Sequence, residues 1–110
     1  MSELAAIVKN AILIGCRRYS LRQGSEGEYV ALFSATNPNN GQSGFLLWET
    51  KWNGRDVTME RLSIDNPNLL IDSVDESPAA YLSVSDPDTG TNPDDHPRFE
   101  ECTHVVYGEH

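Results

Sequence analysis

The chain has 110 residues, with 17 Asp/Glu against 8 Lys/Arg, and a formal net charge of −9. This length fits one domain spanning residues 1–110, and Leu, Ile, Val and Phe are frequent enough to supply a folded core. No apolar run reaches the roughly 20 residues that a membrane helix needs, so no membrane contact is expected, and the two cysteines with no disulfide framework fit a protein of the cytoplasm.

The charge is unevenly placed. Residues 1–61 carry seven Lys/Arg and six Asp/Glu, whereas residues 62–110 carry one and eleven. A solvated acidic half keeps a protein soluble; it also points to a basic partner, or to acid competing with nucleic acid for a basic face.

In chain order, Ser2 can cap a short helix over Glu3–Lys9, with Leu4, Ile7 and Val8 on one side; a lead-in to the first strand is the alternative. Residues 11–21 alternate as a strand, Ile12, Ile14 and Cys16 on one face and Leu13, Gly15, Arg17 and Tyr19 on the other. Leu13-Ile14-Gly15-Cys16 has the look of a lipidation box. The acidic start and the interruption at Lys9-Asn10 speak against a signal segment. Residues 22–27 read as a turn. Residues 28–36 contain Tyr-Val-Ala-Leu-Phe, apolar on both faces, and so form a central strand, followed by a loop over 37–44.

The stretch from Phe45 to Ile64 reads as a hairpin turning at Asn53-Gly54. A two-residue type I′ turn there sets Trp48 against Met59, Trp52 against Arg55 and Lys51 against Asp56. Trp48 is then core, and Trp52 is a half-exposed indole under a guanidinium. Asn66-Pro67 opens a short helix near 67–75. Residues 79–85 alternate as a strand, 86–97 form a polar loop and 99–107 a final strand of mixed alternation. The expected fold is mainly β: a small antiparallel barrel or roll, OB-like, of five to six strands with one short helix. Ile14, Val30, Leu32, Trp48, Met59, Leu82 and Val84 are the expected core.

Catalytic signatures are missing: there is no Gly-rich phosphate loop, nucleophile elbow or paired-His helix. His96, Cys102 and His104 lack zinc spacing, and 86–97 departs from a calcium loop at Gly90, Thr91 and Pro97. Cys16 and Cys102 are expected as free buried thiols, with one bridge as the alternative. A binding protein that is not an enzyme and takes no cofactor is the expectation.

Arg17, Arg18, Tyr19, Arg22, Trp52 and Arg55 combine charge with aromatic faces, the chemistry that holds single-stranded nucleic acid. Ile-Leu-Ile-Gly-Cys-Arg-Arg-Tyr through Tyr-Val-Ala-Leu-Phe, within residues 11–38, resembles the opening of the small single-stranded-DNA-binding proteins of filamentous phages. That resemblance implies an OB-type protein that self-associates, for instance as a homodimer, and coats strands without sequence preference. The competing expectation is an acidic inhibitor, of the immunity or anti-defence type, that blocks a basic protein target. Its contacts are Asp86, Asp88, Asp94, Asp95, Glu100 and Glu101.

Overall fold

The computed structural model describes residues 3–20, 26–71, 76–82 and 91–108, with the backbone alone for 19–20. Helix α1, Glu3–Lys9, buries Leu4, Ile7 and Val8. Seven residues are too few for an isolated helix to persist, so packing holds it. The Glu3 carboxylate fixes its start, accepting from Asn37 Nδ2 and from the Ile71 N–H at 3.0 Å.

The rest is one antiparallel sheet: β1 Ile12–Ser20, β2 Gly27–Thr36, β3 Ser43–Trp52, β4 Val57–Ile64 and β5 His104–Gly108. The fold is mainly β, five strands with one short helix, as expected. Each strand lies beside its neighbour in the chain, in the order β1-β2-β3-β4-β5. The sheet is therefore an open meander, whereas a closed OB barrel would bring non-consecutive strands together.

Both faces are covered, which is why β2 is apolar on both sides. On the first face Tyr29, Ala31, Phe33, Leu46, Trp48, Leu62 and Ile64 pack under α1 and under Leu69, Leu70 and Leu82. On the second, Val30, Leu32 and Leu47 pack against Cys102, with Ile14, Phe45 and Phe99 at the margin. The expected core is thus divided between two faces. Trp48, Val30, Leu32 and Leu82 are buried, Ile14 and Met59 only partly, and Val84 lies outside the described residues.

Alternation along β1 breaks at a bulge between Leu13 and Gly15. The extra residue turns Leu13 and Cys16 to the first face and Ile14 to the second, overturning the expected grouping of Ile14 with Cys16.

The β3–β4 hairpin forms where expected, but its turn and register differ. A type I′ turn needs two positive φ angles. Gly54 has φ +91°, and among the described residues no non-glycine has a positive φ. Instead Asn53 Oδ1 accepts from the N–H groups of Arg55 at 3.0 Å and Asp56 at 2.8 Å, so the loop runs over 53–56. Trp48 then pairs with Leu62, Lys51 with Met59 and Trp52 with Val57. This odd displacement brings Leu62 and Ile64 into the core beside Trp48 and turns Met59 and Arg61 to the other face.

Three further elements depart from expectation. Residues 67–71 form a turn and extended chain, not the start of a helix, and 72–75 lie outside the described residues. Asn66 Oδ1 takes the Asn68 N–H at 3.0 Å, and Asn66 Nδ2 donates to the Ser43 carbonyl at 3.0 Å, which favours a turn locked onto β3. Pro78–Ala80 is a single 3-10 turn capped by Ser77, in place of a strand over 79–82; residues 83–85 are outside the described set. Ser77 Oγ also donates to the Glu60 carboxylate, which accepts the Ala79 N–H at 3.2 Å. The last strand begins at His104, after successive turns over 97–101. Among the described residues no helix is long and apolar enough to cross a membrane.

Candidate functional site

The end of β1, the start of β2 and the β3–β4 loop lie at the same end of the sheet, where Gly27 pairs with both Ser20 and Trp52. Register places Arg18, opposite Tyr29, on the first face, the same face as Trp52. The Trp52 indole lies directly over Gly27, where an added Cβ would fall 1.9 Å from the ring. Trp52 is therefore half-buried, with one flank taken up by backbone. Arg18 is exposed, and so is Arg55 in the 53–56 loop. Val57, not Arg55, stands beside Trp52 in the ladder, which removes the expected pairing of guanidinium and indole. Arg22 and the side chain of Tyr19 lie outside the described residues.

Arg17 is on the opposite face and is engaged. Its Nη2 donates to Glu28 Oε1 at 2.7 Å, and its Nη1 donates to Asp94 Oδ2. A residue expected to meet phosphate and a residue expected to meet a protein partner are thus bonded to each other. Of the six expected nucleic-acid residues, the four whose side chains are described are separated: Arg18 and Trp52 share a face, Arg55 is in the adjoining 53–56 loop, and Arg17 belongs to another site.

Asp94 sits in a segment, residues 91–103, laid across the second face. Asn92 caps its 3-10 turn Pro93–Asp95 by accepting the Asp94 N–H at 3.0 Å, and Pro93 is buried. The segment crosses β1 at Gly15, where an added Cβ would stand 2.6 Å from the Thr91 carbonyl oxygen. Further along, Phe99 and Cys102 cover Val30, Leu32 and Leu47. Arg98 lies over the Phe45 ring at 5.6 Å, within 3.8 Å of Asp65 Oδ2, and donates to the Glu101 carboxylate. The His96 ring meets Phe45 at 5.5 Å between centroids.

Cys102 Sγ contacts the Phe45 carbonyl at 3.8 Å. Burial first, then the Asp65 and Glu101 carboxylates, against the opposing Arg98 cation, together push this thiol up to about 12. Cys16 is packed on the other face, so the two thiols are separated by the sheet and not joined by a disulfide. Among the described residues no group of three or more His, Cys, Asp or Glu is placed to hold a metal ion.

Of the six acids expected to meet a partner, Asp95, Glu100 and Glu101 are exposed on this segment. Asp94 is half-buried on Arg17, and Asp86 and Asp88 lie outside the described residues. The sequence marked these acids but not what anchors them. A bulge beside Gly15, the buried Pro93 and the Arg17 bridge join distant parts of the chain, and no local pattern pairs them. Comparison with protein-family models, with curated proteins and with solved structures found no match to this chain.

Proposed function

We propose that this is a small binding protein that presents acid to a basic surface of another protein and blocks it. The observation that carries this reading is the anchored segment: Asp95, Glu100 and Glu101 are exposed on a stretch of chain held by Arg17, by Pro93 and by Phe99 and Cys102. Carboxylates fixed before encounter lose less conformational freedom on binding than those of a loose tail. The net charge of −9 draws a basic partner in by long-range attraction.

Reversing Asp95 and Glu100 to Lys tests the reading. Affinity for a basic probe such as cytochrome c at low salt should fall at least tenfold. It should fall far less when Asp56 and Glu76, acids outside the segment, are reversed together. Equal losses would mean that only net charge matters, and the reading would be wrong.

A second reading, coating of single-stranded DNA, is favoured by Arg18 and Trp52 sharing one face at the hairpin end. It predicts quenching of tryptophan fluorescence by poly-dT at low salt, reversed by added salt as counterions return to the strand. Poly-dT that neither binds nor quenches at low salt removes it.

A further inference from the structure

At the end of the sheet away from the β3–β4 loop, a groove of about 620 Å³ opens between the starts of β1 and β3, the end of β4 and residues 98–101. Its size falls in the range of roughly 300–1,000 Å³ typical of small-ligand sites. Its lining includes Asp65, Glu101, Arg98, Phe45, Ser43 and Ile12; Asp65 Oδ1 accepts the Phe45 N–H at 2.8 Å, and the Ser43 hydroxyl is bonded to Thr36 Oγ1 at 2.9 Å. Ile12 is 67% exposed, unusual for isoleucine on a strand.

These groups already accommodate one guanidinium. Arg98 lies over Phe45 at 5.6 Å, reaches Asp65 at 3.8 Å and donates to Glu101. Two carboxylates face this single cation, so the groove retains one negative charge. Long basic side chains bury an aliphatic stem and leave the charged head among oxygen acceptors. Exposed Ile12 on the rim suits the stem, and the solvent-open Glu101 carboxylate suits the head, with Asp65 behind it adding negative charge. An anion would meet both carboxylates, and a purely apolar group would strip water from charges without replacing it.

We infer that this groove receives an arginine or lysine side chain of the protein partner, anchoring the basic surface that the acidic segment faces. The inference rests on the function proposed above and assigns a specific anchoring site within it.

The test is a titration of the protein with a capped Gly-Arg-Gly peptide at low salt, followed by amide chemical shifts. Shifts are expected at Ile12, Ser43 and Glu101. Ser43→Trp, which fills the groove without changing charge, should weaken the peptide at least tenfold. Glu101→Gln, at an exposed site that leaves the core untouched, should weaken it about fivefold, with Asp56→Asn as a charge-matched control that changes nothing. Ser43→Trp binding as well as the native protein, or Glu101→Gln behaving like Asp56→Asn, overturns the groove assignment, as does a lack of shifts at millimolar peptide. If cytochrome c still depends on Asp95 and Glu100 in that event, the broader reading stands without the groove.

Discussion

The Trp48 indole is 1% exposed and meets the Tyr29 ring edge-on at 5.4 Å. Its placement in the core was legible from alternation along β3. Its neighbour was not: the ladder gives it Leu62, because the Asn53 side chain, rather than a type I′ backbone, shapes the loop. Trp48→Ala should cost about 3–5 kcal/mol in chemical denaturation, and an unchanged midpoint would contradict the core assignment. Cys102 gives a second residue-scale prediction. Its folded pKa lies above its ordinary value near 9.0, at about 12, so the native state holds this proton more tightly than the unfolded chain. Its contribution to stability is intact below pH 9 and is lost as pH rises toward 12. Cys102→Ala should flatten the fall in melting temperature over that window relative to the native protein. An unaltered slope would show that the thiol is not shielded.

Among the elements, the strands that follow one another directly were the most readable, since β2 and the β3–β4 pair announce themselves by polarity and turn residues. The segment over 91–103 was not readable. Its anchor joins Arg17 to Asp94 across 77 positions of sequence, and no local pattern encodes such a partner. The same holds for 79–82, where Glu60 of β4 takes the Ala79 N–H that a strand would have used in its ladder, and holds the Ser77 hydroxyl beside it. Two substitutions test the anchor. Arg17→Met removes both ion pairs at a half-buried position and should cost about 1–2 kcal/mol, between the values of an exposed and a buried pair. Hydrogen exchange over 91–103 should quicken with it. Gly15→Val places a Cβ where the Thr91 carbonyl stands, and should loosen the same segment. Exchange confined to its native rate in both variants would show that the segment is held by something else.

For the whole molecule, the decisive feature is how charge is distributed over the fold. The sequence shows an acidic second half, which reads as a solvated surface, as contacts for a basic partner or as acid competing with nucleic acid for a basic face. In the fold, residues 91–103 become the cover of one sheet face, and Arg17, one of the cations expected to contact nucleic acid, is committed to holding them there. Among the described residues Arg18, Lys51 and Arg55 are exposed at the hairpin end, a small local charge beside a net charge of −9. The most direct measurement is a side-by-side titration at low salt against cytochrome c and against poly-dT, using the native protein and the Asp95→Lys/Glu100→Lys variant. Salt-sensitive binding of the basic protein, lost in the variant, with no binding of the oligonucleotide, is the expected result. Tight binding of poly-dT by the native protein, with the basic protein bound equally by both forms, would contradict it.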